Sequence, residues 1–473
     1  MERDAVPEPE AKRLKLDEGT MQQSGAPTVP ASEVIAIHLV DASRDKTACS
    51  AESEPFHPEF THQVFGNDET ITGYEGLTVD IFLDAKTFYS RVDVRYESSS
   101  PGADDVVLKL SAALEDGLLL SEQEFKNKLD DYPHDWLSIE DLGTVVGRSD
   151  WKAGELLVTF ANLAQAGPKL RELHNRLELF LTFFIDGFAC IDPDDPNWEI
   201  FTASYKTESS LRVIGFAVIY NLPLLEKRRK RVGHFFILPN YQGCGAGTKM
   251  LQCVYEIAAG HEAQDVTLED PSDNMRSLRD KWDTKRLFQC DWLRKHASKV
   301  ISEFVQNQQQ KVEKPSGSNG KPPTQKTTKQ GSHALALDAE YRRKIQADLR
   351  ISQTQVILLW EGLLMIESKG DSKMMEAVWE FVFCRLANHW GLNSVSKKLI
   401  IESRNKDGPN DCFMMVKCRN IPPVHEALKK GVLLTPPEET GHEEKAEQVE
   451  KEVEKRMQEL ARIAIPYWEK NGG

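Results

Sequence analysis

The sequence predicts an α+β protein in which a mixed N-terminal domain, a central sheet with flanking helices and a helical C-terminal domain follow one another. Three observations carry this prediction. Alternating apolar residues mark strands before residue 100, strand-like segments then interleave with helical periods up to residue 290, and helical periods alone follow residue 334. At 473 residues the chain exceeds what one core usually organises. Two or three units are therefore expected.

Residues 1–32 are rich in Pro, Glu, Ala and polar residues, and too poor in large apolar ones to offset the entropy of ordering, so a disordered tail is expected there. Within it, Pro9 to Asp17 (Pro-Glu-Ala-Lys-Arg-Leu-Lys-Leu-Asp) resembles a nuclear-import signal; a chance basic cluster is the other reading. From residue 33 to 145 a mixed domain is predicted. Val34, Ile35 and Ile37 lead in, Leu77, Val79, Ile81 and Leu83 alternate with polar neighbours, and Val92, Val94 and Tyr96 repeat the pattern. Gly66-Asn67-Asp68-Glu69 reads as the turn before the second strand.

Residues 146–290 form the predicted central unit. After Pro168, the apolar residues Leu170, Leu173, Leu177, Phe180, Leu181 and Phe184 share one face of a long helix. Strands are expected at Glu199 to Tyr205 and Leu211 to Tyr220, followed by a basic run from Lys227 to Arg231 and the apolar segment Phe235 to Leu238. Residues 306–333 lose hydrophobic residues and predict a flexible linker or insertion. A helical domain is expected over 334–440, built on Ile357, Leu358, Trp360, Leu363, Leu364 and Ile366 and then on Val378, Trp379, Phe381, Val382 and Leu386. Residues 441–473 hold a Glu- and Lys-rich segment with Val449, Val453, Met457 and Leu460 at helical spacing, which predicts an exposed, solvated helix.

The net charge of −15 argues against a general nucleic-acid binder and favours a basic peptide as partner. The eight cysteines show no C-x-x-C and no paired Cys/His spacing, so no metal is expected and reduced thiols in an intracellular protein fit. No stretch approaches the roughly 18 uninterrupted apolar residues that a membrane span needs.

The chemistry is concentrated in one segment. Phe235, Phe236 and Ile237 run through Pro239-Asn240-Tyr241 into Gln242-Gly243-Cys244-Gly245-Ala246-Gly247 and then Thr248-Lys249-Met250. This reads as strand, turn and helix. Three glycines remove the Cβ atoms that would block close approach, and unsatisfied amides at a helix start bind phosphate oxygens. A Walker loop would end in Gly-Lys-Ser/Thr, whereas Gly247-Thr248-Lys249 reverses that order, and G-x-G-x-G departs from the dinucleotide spacing. A glycine-rich turn without a ligand stays open on this segment alone.

Downstream, Val266 to Leu268 is a short strand that stops at Glu269-Asp270-Pro271-Ser272. Acids at a strand end beside a cofactor cleft are placed to take a proton from an ammonium, and partial burial would favour that. The other reading makes these acids, with Ser272 or Asp273, the cap of the next helix.

Gln-x-x-Gly-x-Gly between strand and helix resembles the pyrophosphate motif of the Gcn5-related N-acetyltransferases. Glu269-Asp270-Pro271-Ser272, Leu278-Arg279-Asp280, the stretch Thr61 to Thr70 and the acidic loop Asp192 to Trp198 narrow the resemblance to type B histone acetyltransferase catalytic subunits, over residues 34–290 and weakly beyond. The resemblance implies a Gcn5-related sheet over 146–290 and acetyl-CoA as cosubstrate, lying along Phe235, Phe236 and Ile237 with its phosphates on Gln242, Gly243, Cys244, Gly245, Ala246, Gly247 and Thr248. It makes Glu269 the general base and Asp270 a supporting acid, and it brings Ser272 and Lys281 to the cofactor. Asn67, Asp68, Glu69, Trp198, Tyr220, Asn221 and Leu222 would line the groove for a histone H4 tail, with Asn67 standing where the family often carries an acid.

It further implies direct acetyl transfer to newly made histones, a WD-repeat histone chaperone as partner, no DNA or membrane contact, and residence in nucleus and cytoplasm. Cys244 at a free loop position and Cys253 on the helix would be the carriers if an acetyl-enzyme formed instead. A histone-binding, chaperone-like protein with an inactive core is the alternative from another class. A transferase acting on protein N-termini or small amines shares the loop.

Overall fold

The structure is a computed structural model that describes residues 26–41, 54–133, 135–208, 210–223, 227–313, 335–389, 399–403, 412–416, 433–435 and 442–471. The import-like segment and most of the predicted tail and linker lie outside the described residues. The chain divides into two units, 1–142 with 166–193 and 208–213, and 143–165 with 194–207 and 214–473.

The first unit is built on β1 (Ile35–Val40), β2 (Thr78–Asp84), β3 (Ser90–Arg95) and β4 (Leu118–Leu119), in that spatial order. β1 and β2 run parallel, β2 and β3 antiparallel. Ile35, Ile37, Val79, Ile81 and Leu83 are fully buried, so the period-2 pattern chose the core face. The longer helices of the unit are α1 (Val106–Leu114), α2 (Glu122–Asp130) and α3 (Pro168–Leu179). Pro168 opens α3, where its missing N–H costs nothing. Leu170, Leu173, Leu177, Phe180 and Leu181 are buried as the periodicity requires, but the helix tightens into a 3-10 turn over Phe180–Phe183.

The predicted tail is corrected at its end. Thr28–Pro30 forms a strand antiparallel to Thr70–Thr72, because the backbone groups of an edge segment find partners there regardless of side-chain hydrophobicity.

From Ile214 on in β8 and throughout the other strands, the second unit holds a six-stranded sheet of β5 (Thr144–Trp151), β6 (Gly154–Asn162), β7 (Trp198–Lys206), β8 (Leu211–Pro223), β9 (Arg228–Ile237) and β10 (Val266–Leu268), its strands adjacent in sequence order. β8 and β9 pair antiparallel, and β9 and β10 parallel. The crossover between β9 and β10 is α4 (Ala246–Gly260), which buries Met250, Leu251, Cys253, Val254, Tyr255 and Ala258 against the sheet. The basic run read as a separate segment belongs to β9. Alternation lets Arg229 and Arg231 reach outward while Lys230, only 1% exposed, turns inward onto the Glu199 carboxylate and Asn221 Oδ1 at 2.9 Å.

Helices α5 (Asp273–Phe288), α6 (Asp291–Glu313), α7 (Ala339–Leu349), α8 (Gln353–Glu367), α9 (Ser372–His389) and α10 (His442–Asn471) follow. Residues 306–313 therefore end a helix rather than begin the linker, since Gln and Lys have good helix propensity even without an apolar face. Short strands Leu399–Ser403, Cys412–Val416 and Leu433–Thr435 form an antiparallel sheet that the helical reading of 334–440 did not include.

The solvated reading of α10 is also corrected: Val449, Val453, Leu460 and Ala464 are fully buried. Its Arg456 reaches Glu361 of α8 at 3.1 Å, and Trp468 donates to the Ile366 carbonyl at 2.9 Å. A narrow apolar stripe in a charged helix marked a packing seam.

Candidate functional site

The site grows from an interruption in the sheet. β10 pairs with β9 only from Lys230 to Val232, and the Glu269 amide closes the ladder on the Val232 carbonyl at 3.0 Å. Beyond it, no strand among the described residues lies along that edge of β9 from Gly233 to Ile237. An open edge of this kind can receive an extended ligand through main-chain hydrogen bonds.

At the point of separation β9 carries one extra residue. Val218 faces His234 and Ile219 faces Val232, so Gly233 is a bulge. The Trp198 ring comes within 3.2 Å of where a Gly233 Cβ would stand, which ties the residue to glycine by close approach. Trp198 packs edge-on to Tyr220, with ring centroids 4.8 Å apart. The Tyr220 hydroxyl donates to Asp195, which pushes the phenol above its usual range; Asp195 in turn is held below the ordinary carboxylate value first by the Asn197 amide at 2.9 Å.

The loop after β9 behaves as its glycines require. Gly243 and Gly245 adopt φ of +69° and +91°, and a Cβ on either would meet nothing within 4 Å, so this face of the loop is open. Gln242 anchors one end by donating from Nε2 to the Ile237 carbonyl at 2.9 Å. Gly245 precedes α4 in the left-handed region, and no side chain caps the helix, so its first amides stay available to an anion. Phe235 and Ile237 lie 3.6 and 3.8 Å from a would-be Gly247 Cβ, and Leu278 of α5 lies 3.4 Å from it. Strand, loop and α5 thus meet at Gly247. The residues present suit a phosphate-bearing ligand with an extended arm.

The acids stand differently from the expectation. Glu269 is half-exposed rather than partly buried, and its Oε1 accepts from Arg231 at 2.6 Å. Asp270 is exposed with φ of +31°, a strained left-handed geometry at the strand end immediately before Pro271. Ser272 is the N-cap of α5 and accepts from the Met275 amide at 3.3 Å, which realises the capping reading for this residue. Lys281 is exposed on α5.

Of the proposed tail contacts, Trp198, Tyr220, Asn221 and Leu222 lie in the second unit and Asn67, Asp68 and Glu69 in the first. Besides Tyr220, whose hydroxyl is held by Asp195, Asn221 and Glu69 are engaged by their own chain. Asn221 is buried, donating to the Asn197 carbonyl and accepting from Lys230. Glu69 Oε2 accepts from the Thr61 amide at 2.6 Å and its hydroxyl at 2.8 Å, and the hydroxyl bond leads in holding its carboxyl below the usual range. Asn67 and Asp68 are exposed.

The cysteines separate clearly. Cys253 is fully buried under β5, and desolvation pushes its thiol up to about 11, so it cannot supply a thiolate near neutral pH. Cys244 is exposed in the loop. Sequence reasoning missed Arg231 and Gly233; the isolated glycine in Arg-Val-Gly-His-Phe-Phe was the available signal for the bulge.

This geometry agrees with what the chain is similar to. A family model described as the histone acetyl transferase HAT1 N-terminus matches residues 27–186, and that of the Acetyltransferase (GNAT) family matches 163–279. Over residues 27–279 the chain is similar to type B histone acetyltransferase catalytic subunits. The subunit of Rattus norvegicus is 30% identical over 253 residues, covering 48% of this chain and 57% of that one. That of Dictyostelium discoideum is 29% identical over 271 residues, 53% of this chain and 55% of its own length. That of Arabidopsis thaliana is 24% identical over 366 residues, covering 74% of each. The chain thus spans just over half the length of the Dictyostelium type B catalytic subunit. The GNAT match encloses the bulge, the loop and Glu269.

Proposed function

We propose that this chain is an acetyl-CoA-dependent lysine N-acetyltransferase acting on free, newly made histones, with the histone H4 tail as substrate. The observation that carries the reading is the open edge of β9 beyond Val232: Glu269, anchored through its amide to the residue before the bulge, stands at one end of it, and the uncapped start of α4, packed by Gly247 against Phe235 and Ile237, at the other. The cosubstrate would supply an activated acyl group as a thioester. Phe235, Phe236 and Ile237 would hold its arm, and Gln242 to Thr248 its phosphates.

Glu269 takes the proton from the substrate ammonium. Its partner Arg231 is itself 40% exposed, and exposed ion pairs are worth only about 0–1 kcal/mol, so an incoming lysine can displace it at little cost. Backbone N–H groups near Phe236 or Ile237 would polarise the acetyl carbonyl. The Trp198 and Tyr220 rings offer a face to an aliphatic or cationic side chain. A Lys- and Arg-rich tail fits the net charge of −15. The family reading adds a WD-repeat histone chaperone as partner and a distribution between cytoplasm and nucleus.

Radiolabelled acetyl transfer from acetyl-CoA to a free H4 tail peptide tests the proposal. Wild-type transfer that Glu269→Gln abolishes supports it, and full activity in that variant removes the base. A wild-type chain that binds the tail but transfers nothing is instead a binding module, and a preference for polyamine over the peptide points to a small-amine substrate.

A further inference from the structure

Within the second unit, one contact reaches the cofactor loop from far away in sequence. Trp151 ends β5, and its indole Nε1 donates to the Cys244 carbonyl at 2.8 Å across 93 positions. The hairpin to β6 turns there, with Lys152 at φ of +53°. The indole is itself wedged: edge-on to Tyr205 at 5.2 Å, tilted against Tyr241 at 6.1 Å, with the Lys152 ammonium 4.6 Å from its centroid and 5.0 Å from that of Tyr241. Two tyrosine rings and a cation thus fix the direction of a single N–H.

The bond lands where the loop is least constrained. Gln242 holds the loop's start on Ile237, and the Lys249 amide on the Gly245 carbonyl at 3.0 Å begins the helix. Between these anchors stand two glycines in left-handed conformations, the residues with most freedom to lose. Cys244 lies between them. A planar trans peptide points its C=O and N–H in opposite directions, so fixing the Cys244 carbonyl also fixes where the Gly245 amide aims.

We propose that Trp151 is a positioning residue for the cofactor loop: through the Cys244 carbonyl it sets the orientation of the amides that receive the pyrophosphate. The inference rests on the acetyl-CoA reading above. It assigns affinity for the phosphate end of the cosubstrate to a residue that touches no reacting atom.

Trp151→Phe keeps a ring against Tyr205 and Tyr241 and deletes only the donor. Steady-state transfer is compared with acetyl-CoA and with S-acetyl-pantetheine, which lacks the pyrophosphate, alongside calorimetric binding of CoA and pantetheine and the thermal midpoint. The loss of one hydrogen bond predicts a KM for acetyl-CoA raised about three- to tenfold, with the same loss in CoA affinity. kcat, the KM for the H4 peptide, the KM for S-acetyl-pantetheine and the thermal midpoint stay as in the wild type. An unchanged KM for acetyl-CoA, or an equal rise for both donors, overturns the role of Trp151. A wild-type chain that does not prefer CoA to pantetheine refutes the cofactor reading itself, so the two failures are told apart.

Discussion

The loop from Gln242 to Thr248 and the helix α8 sit in one unit and treat their polar groups in opposite ways. α8 is buried almost all round, and its buried charges are paired: Glu361, at 0% exposure, with Arg385 and with Arg456 at 3.1 Å, and Glu367 with Arg294 at 3.2 Å. The loop leaves the start of α4 uncapped and Gly243 and Gly245 facing open space. Segments that only hold the fold pair what they bury, whereas a segment that must receive a ligand keeps donors unspent. The same contrast separates Glu361 from Glu269, which lies half-exposed against one guanidinium.

Breaking the packed side should have the largest effect on stability. Glu361→Ala takes the buried carboxylate away from Arg385 and Arg456, and removing one partner of a buried ionic cluster costs about 3–5 kcal/mol, which chemical denaturation would register as a marked fall in the unfolding midpoint. Breaking the open side should do the reverse. Glu269→Gln is expected to lower acetyl transfer by about 10²- to 10⁴-fold while stability moves by less than about 0.5 kcal/mol, measured by single-turnover kinetics beside the same denaturation curve. Equal stability losses in the two variants would erase the contrast.

Gly245→Ala probes the boundary between these behaviours. A Cβ at φ of +91° meets no neighbour, so the cost is conformational alone, about 1–2 kcal/mol, either taken from stability or absorbed by a loop that relaxes and binds CoA less tightly. Calorimetry on the folded variant decides which.

A pH-dependent effect belongs to the first unit. Burial pushes Glu178 up to about 7, against the opposing pull of the Ile191 amide. Its folded value lies above its unfolded one, so the native state binds the extra proton, and stability is greatest below the ordinary carboxylate value and falls as pH rises toward 7. Glu178→Gln should flatten that decline in melting temperature between pH 5 and pH 8, and an unaltered slope would locate the dependence elsewhere.

Much of this was legible from local pattern. The strands of the first sheet, the Pro168 helix and the strand–loop–helix around Gln242 each follow from periodicity or from backbone demands that only glycine meets. Others were not legible. Whether Lys230 belonged to a charged run or to a strand interior depended on Glu199 and Asn221 being across from it. Whether Val449, Val453 and Leu460 faced water or a seam depended on α8 and α9 offering a surface.

By itself the sequence determined the α+β order of elements, the loop that suits a phosphate and the acids that follow it, because those features depend on residues close together in the chain. Tertiary structure alone decided that β9 and β10 part after Val232, that a bulge sits at Gly233 beneath Trp198, and that Trp151 holds the loop. Each of these sets groups from distant positions against one another, and close approach of that kind is written in no local period.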